Sequence, residues 1–382
     1  MKIVHICMVD AFSDGWSYHR NIISEKNKAD GNDVTIITSR YSMGVHGENV
    51  KEKVGTSYTK GGVKVVRLED ALPLCPKEFQ GRVRWTKGLF EALCEEKPDV
   101  MMVHNLQFFN LGEIVKYKNI RKNVKLIGDT HAMRANSLPK GSIRALIMHR
   151  IVYRYLINKY FQYFDKFGYI SVYEKIFFEK MYGIDLKDAE LIPLPSVGVS
   201  REDKLKFRSE IRKKHSISED TVLFVHSGRL MAEKRTFWIF RALKNSNIKC
   251  KLFIIGSIPD ARKERFEKYL REDERIEYLG WMDAEELRSY LAAADLYLQP
   301  GSVSVTYHNA MAAGTPVMAH PFQSYREIAR GGEIFVESPS DIKKVFDKIE
   351  NDSSFLGNMS LRAYETADQF FSVEKNAEFV YL

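Results

Sequence analysis

The stretch VLFVHSGRLMAEK, residues 222–234, decides the fold. Val222, Leu223, Phe224 and Val225 are apolar in succession, without the alternation of a strand that has one wet face. Such a run marks a strand buried on both sides, as in a parallel sheet covered by helices on both faces. It stops at Ser227 and Gly228 and gives way to Arg229 and Lys234. In open α/β sheets, residues just beyond the carboxyl ends of the strands hold the ligand. Two cations leaving one strand end point to an anionic ligand.

Runs of the same character recur on either side. Downstream lie Lys251–Gly256, Ile276–Gly280, Leu296–Gln299, Pro316–Ala319 and Ile334–Val336. Upstream lie Ile3–Val9, Val34–Thr38, Val63–Leu68, Val100–His104, Val124–Thr130 and Gly168–Val172. Helical segments separate them, so the pattern predicts an α/β chain with two doubly wound parallel sheets. Between the halves, IPLPSVG (192–198) breaks both helix and strand and reads as the linker, followed by a charged helix over Arg201–Lys214. Beyond the predicted strand ends stand Asp10 to Arg20 with Gly15, then His104-Asn105, Asp129-Thr130-His131, Ser227 to Lys234, and Pro300 to Ser304. Small, basic and imidazole residues prevail there, a bias that suits a diphosphate.

Composition bounds the rest. A chain of 382 residues, at roughly 150 per domain, favours two domains. With 28% charged and 45% apolar residues, disorder, collagen-like repeats and a disulfide scaffold are excluded. Cys7, Cys75, Cys94 and Cys250 show no C-x-x-C spacing and read as inert thiols of a reducing, cytoplasmic compartment. The apolar start after Lys2 is too short for a signal peptide, and no stretch approaches a membrane span. The net charge of +8 leaves nucleic acid, a membrane surface or an anionic substrate as partners. No nucleic-acid-binding module accompanies it, so nucleic acid is set aside.

About half of that excess lies between Ser142 and Tyr182, where seven Lys/Arg face three Asp/Glu and twelve of the 46 aromatic residues gather. Ile143, Ile147, Ile151, Tyr155 and Asn158 form a helical row, with Arg150, Arg154 and Tyr160 off it. That pattern fits either a packed helix with a solvated basic side or contact with an anionic membrane surface, peripheral on the inner face of the cytoplasmic membrane.

Several segments of the second half resemble retaining glycosyltransferases of the GT-B fold, family 4. Gly228-Arg229-Leu230 through Glu233-Lys234 is similar to the family's G-R-L-x-x-E-K-G, with Arg235 in place of the last glycine. Lys251–Gly256 resembles its central strand, and Ile276–Trp281 followed by Leu287 to Asp295 its next segment. Asn309-Ala-Met-Ala-Ala-Gly314-Thr-Pro316-Val resembles E-A-M-A-x-G-x-P-V, and Tyr325-Arg326-Glu327-Ile328 resembles G-x-P-E-I. The similarity runs from Val222 to near the C-terminus. In the first half it is an outline: an opening strand, a glycine loop at Gly15, and Thr130-His131.

The resemblance implies two Rossmann-like domains facing across a cleft. These are an acceptor domain over 1–195, a nucleotide-sugar domain over 196–365, and a C-terminal helix, 366–382, returning to the first domain. It implies transfer of a sugar from a nucleotide-diphosphate donor to a glycan or lipid-linked acceptor in surface polysaccharide or glycoconjugate assembly, without metal or cofactor. Arg229 and Lys234 would neutralise the diphosphate, and His131 would contact the transferred sugar or acceptor near the anomeric centre. His104 and His19 are weaker candidates. Gly15 would let backbone approach the phosphates, and Trp281 would lie beside the base. Ser302, Ser304 and Val305 lead into the helix that would meet the donor phosphates, and Asn309 would reach the ribose. The chain departs from the family where two glutamates are usual: Gly301 and Asn309 stand there. Gly301 predicts a roomier sugar end and an unusual donor. Loss of both glutamates also fits a GT-B-like binding subunit without catalysis, and a nucleotide-sugar epimerase is a further alternative.

Overall fold

The computed structural model describes residues 1–9, 12–15, 18–43, 49–71, 84–139, 141–352 and 354–381. The chain divides into two units, Met1–Pro193 with Val373–Leu382, and Leu194–Ser372.

The first unit is built on β1 (Lys2–Cys7), β2 (Asp33–Ser39), β3 (Tyr41–Met43), β4 (Asn49–Lys51), β5 (Gly55–Tyr58), β6 (Lys64–Leu68), β7 (Val100–His104), β8 (Lys125–Thr130), β9 (Lys166–Tyr169) and β10 (Glu190–Leu191). Eight of these form one sheet in the order β10-β9-β8-β7-β1-β2-β6-β5, while β3 and β4 pair separately. The large sheet is parallel except at its edge, where β5 runs antiparallel to β6. From Ile3 to Cys7 every residue of β1 is buried, as is every residue of β7. This is why both read as nearly continuous apolar runs, β1 interrupted by buried His5 and β7 closed by buried His104.

The second unit holds β11 (Val222–Ser227), β12 (Cys250–Ile255), β13 (Ile276–Gly280), β14 (Leu296–Gln299), β15 (Val317–Ala319) and β16 (Glu333–Phe335). They form one wholly parallel sheet in the order β13-β12-β11-β14-β15-β16. From β11 the chain steps outward to β12 and β13, then returns to the other side of β11 with β14. The switch point therefore lies between β11 and β14, and in the first unit between β1 and β7.

The charged helix Arg201–Lys214 begins on Ser200, whose Oγ accepts from the Asp203 N–H at 3.0 Å. From its buried face Arg212 donates to the Asp295 carboxylate (2.9 Å) and the Thr221 carbonyl (3.0 Å). Asp295 also accepts from the Leu223 N–H at 2.8 Å. Asp295 thus ties helix, β11 and β14 together at the amino ends of the strands, away from the ligand side.

The second unit continues through the helix Phe355–Phe370 to Ser372, so the return to the first unit begins at Val373. There Phe379 and Val380 cluster with Ile3, Ile23, Val100, Met102, Ile127 and Ile192.

Between Ser142 and Tyr163 the chain is a helix Ile143–Ile147, a π-helical turn Met148–Tyr153 and a helix Arg154–Tyr160. His149, Tyr153 and Ile157 are buried, and the His149 ring bonds the Tyr182 hydroxyl at 2.7 Å. Ile143, Ile147, Ile151 and Tyr155 are exposed at 49–72%. Among the described residues no helix is long and apolar enough to cross a membrane. Cys7, Cys94 and Cys250 are free thiols, and Cys75 lies outside the described residues.

Candidate functional site

In the second unit the loops after β11, β12 and β14 are pressed together at the switch point. Gly228 and Gly256 follow β11 and β12 with φ of +119° and +135°. A Cβ on Gly256 would lie 1.9 Å from the Gly228 carbonyl oxygen, so only glycine permits this approach. The loop after β14 is held by Gln299, which donates to the Ser302 carbonyl at 2.7 Å, and by the Ser304 N–H, which donates to the Tyr325 hydroxyl at 2.9 Å. Tyr325 is stacked on Tyr307 with centroids 4.0 Å apart, and Tyr307 donates to Glu333 at 2.7 Å. The loop is thus set on a rigid aromatic pair.

Onto this frame the sequence places its cations. The Arg229 side chain is exposed and has no partner among the described residues. Lys234 is buried and likewise unpaired, leaning over Gly228, where a Cβ would sit 3.1 Å from its Nζ. Burial pushes its ammonium down to about 8. A buried cation without a counter-ion is unfavourable unless an anion completes it. Arg235, the residue in place of the family glycine, adopts φ +54° and turns inward, donating to the Pro300 carbonyl at 3.1 Å.

Ser304 caps the helix Val305–Ala312, its Oγ accepting from the Thr306 N–H at 3.3 Å. Ser302 stands in the loop before that cap, and Val305 is exposed at the first turn. Asn309 lies on the same helix, where its Oδ1 accepts from Ser196 Oγ at 2.8 Å. Trp281, just after β13, is exposed at 70%, which excludes a core role.

The expectation of a roomier sugar end at Gly301 is corrected. A Cβ there would lie 2.0 Å from the Glu233 carbonyl oxygen and 2.7 Å from Lys234 Cα. The glycine opens no space. It lets the loop after β14 rest against the backbone that carries Lys234.

In the first unit, Gly15 follows β1 in an exposed turn with φ +77°, its N–H donating to Asp14 Oδ1 at 2.8 Å. Asp10, Ala11, Trp16 and Ser17 of that loop lie outside the described residues. His131 follows β8 and joins a group of imidazoles around Asp129. Asp129 Oδ2 lies 2.9 Å from His104 Nδ1, 3.1 Å from His131 Nε2 and 3.7 Å from His19 Nδ1. Its Oδ1 accepts from the Asn105 N–H at 3.0 Å. Burial pushes the Asp129 carboxyl up, but His131 and His104 outweigh it and hold the group well below the usual carboxylate range. Burial and then His131 push His19 well below the ordinary imidazole range.

These four side chains bring one donor atom each within 4.8 Å of the others, the reach of a metal site. Of the four atoms, His104 Nδ1 and Asp129 Oδ2 already share a hydrogen bond, so a metal ion would have to displace the proton between them. The sequence pointed to His131, with His104 and His19 behind it, and placed Asp129 beyond the same strand end without giving it a role; His5, inside β1, was missed. The signal was present: histidines in β1 and at the end of β7, and an Asp-x-His at the end of β8.

Residues 207–367 match the family described as glycosyl transferases group 1. No curated protein matches the chain by sequence. Among solved structures, the chain is similar to sucrose-phosphate synthase from Thermosynechococcus elongatus, with a TM-score of 0.66 and 16% identity over 98% of this chain and 96% of that one. It is similar to Anabaena HepE in complex with UDP, with a TM-score of 0.67 and 15% identity over 99% and 98%. It is also similar to WaaG, a glycosyltransferase involved in lipopolysaccharide biosynthesis, with a TM-score of 0.64 and 17% identity over 99% of both chains. The glycosyl transferases group 1 match thus covers the greater part of the second unit, and the two parallel-sheet units have the GT-B fold of these structures.

Proposed function

We propose that this chain transfers a sugar, with retention, from a nucleotide-diphosphate donor to a glycan or lipid-linked acceptor in surface polysaccharide or glycoconjugate assembly. The observation that carries the reading is the pair of unpaired cations, Arg229 and buried Lys234, at the switch point of the second unit. A leaving nucleoside diphosphate develops negative charge, and preorganised cations stabilise it. Arg229 offers a fixed fork to phosphate oxygens and Lys234 a point charge. HepE is solved with UDP and with UDP-glucose, so uridine diphosphate sugars are the first donors to try. Asn309 and Trp281 are assigned to the ribose and base, the loop Ser302–Val305 to the phosphates, and Gly15 to backbone approach. His131 is assigned to the transferred sugar or acceptor.

The exposed row Ile143, Ile147, Ile151 and Tyr155, flanked by the exposed Arg144, Arg150, Arg154 and Lys159, supports a lipid-linked acceptor met at an anionic membrane surface.

The test is release of free nucleoside diphosphate from a panel of nucleotide sugars, with and without a lipid extract as acceptor. Release from one donor, raised by the extract, supports the reading. Thermal stabilisation by a donor with no release under any condition favours the binding subunit instead. The absence of glutamate at positions 301 and 309 is what keeps that second reading in view.

A further inference from the structure

Three histidines and one aspartate of the first unit converge where β1, β7 and β8 end. His104 closes β7, Asp129 is the last residue but one of β8, His131 follows β8, and His19 opens the helix His19–Ala29. His19, His104 and Asp129 are buried, while His131 is part-exposed. Asp129 Oδ2 is the hub, 2.9 Å from His104 Nδ1, 3.1 Å from His131 Nε2 and 3.7 Å from His19 Nδ1. His19 Nδ1 finds no hydrogen bond among the described residues. A buried ring nitrogen that faces a carboxylate from beyond hydrogen-bond reach is costly unless something stands between them.

We propose that His19, His104, Asp129 and His131 bind one divalent transition-metal ion of the zinc class. Three imidazoles and one carboxylate suit zinc, whereas magnesium and calcium take sites built from oxygen. Zinc lies about 2.0–2.2 Å from such ligands, which sets them about 3.4 Å apart in a tetrahedron. The three spacings to Asp129 Oδ2 fall on either side of that value, and all four donor atoms lie within 4.8 Å of one another. Small side-chain shifts would seat the ion, which takes the place of the proton between His104 and Asp129 and releases it to water.

The surroundings hold these ligands as an ion requires. A metal-bound imidazole is oriented by the partner of its other ring nitrogen, and a bound carboxylate by hydrogen bonds of its own. His104 Nε2 meets His5 Nδ1 at 3.0 Å. Asp129 Oδ1 accepts from the Asn105 N–H at 3.0 Å, and Asn105 Oδ1 accepts from the His131 N–H at 2.7 Å. Asn105 thus fixes two of the ligands at once. It does so from φ +65°, a left-handed conformation uncommon outside glycine. Part-exposed His131 marks the side from which an ion enters.

The resemblance to GT-B enzymes implies no ion at this place; only this chain's own side chains point to one. In the transferase proposed above, an ion and a sugar compete for His131. Binding of the ion is measured without any transfer, so the two readings stand or fall separately.

The test is titration of the full chain, free of any histidine tag and treated with chelator, with zinc and with cobalt as a spectroscopic probe. One zinc per chain is expected, together with the visible absorption of tetrahedral cobalt. His19→Ala and His131→Ala should each weaken zinc binding by at least ~100-fold, the upper end of what removing an outer-shell partner costs. The second variant, at a part-exposed position, serves if the first folds poorly. His215→Gln, in the second unit, should bind zinc as the wild type does. A wild-type chain that takes up no stoichiometric zinc overturns the proposal. So does binding that persists in both cluster variants, or that is lost in His215→Gln.

Discussion

A Cβ on Gly301 would come within 2.0 Å of the Glu233 carbonyl oxygen, so the loop after β14 and the loop after β11 touch backbone to backbone. Any side chain at 301 must force these loops apart, and with them Lys234. We expect Gly301→Ala to lower stability by about 1–3 kcal/mol, as overpacking does, and to raise the donor KM. Gly301→Glu, which restores the residue usual in the family, should lose activity rather than gain it. Urea denaturation and donor-release assays on both variants check this.

Arg229 and Lys234 are the only charges assigned to the leaving diphosphate. Arg229→Ala and Lys234→Ala are each expected to cut turnover by at least ~10²-fold, the scale of losing one preorganised donor to a developing anion. Near wild-type rates in both would remove the diphosphate assignment.

The lowered value of Lys234, about 8 in place of 10.5, gives two pH effects of opposite sense. Between those values the unfolded chain binds more protons at this site than the folded one. The Lys234 contribution to stability therefore rises with pH through that window and is unfavourable below it. Donor binding needs the charge, so the donor KM rises as pH passes about 8. Lys234→Arg, which stays charged, should flatten that rise. KM measured across pH in both proteins decides it.

Asp295 closes the amino ends of β11 and β14 by accepting from Arg212 and the Leu223 N–H. Asp295→Ala leaves buried Arg212 without its counter-ion and is expected to cost about 3–5 kcal/mol. A chemical melt of the variant checks it, and the donor KM of the surviving folded fraction should stay near wild type.

The Ile143 to Tyr155 row predicts binding to vesicles containing anionic lipid at low salt. Ile147→Asp together with Ile151→Asp should abolish co-sedimentation while changing stability by no more than about 0.5 kcal/mol per site, since both side chains are exposed. Binding unchanged in the double variant would remove the membrane surface as a partner.

Much of the fold was legible locally. The runs at 222–227, 276–280 and 296–299, and the helix over Arg201–Lys214, stand in the structure at the expected positions. Buried parallel strands write themselves as apolar runs, and a helix start writes itself as a serine before acids. The edge strand β5 and the pair β3–β4 were not legible, because GTSY and YSM are polar and exposed or short. Their strand character comes from a partner's hydrogen bonds.

By itself the sequence determined which residues end at the ligand side of each sheet, because strand direction and apolar periodicity are properties of short segments. Only the tertiary structure decided what those residues can do. Gly301 reads as a missing glutamate until the Glu233 carbonyl is found against it. His104 reads as one more imidazole until it is found in a line of hydrogen bonds that runs from Asp129 through His5 and Asn27 to Tyr381. Steric exclusion and proton sharing act through space, over contacts whose partners lie tens to hundreds of residues away along the chain.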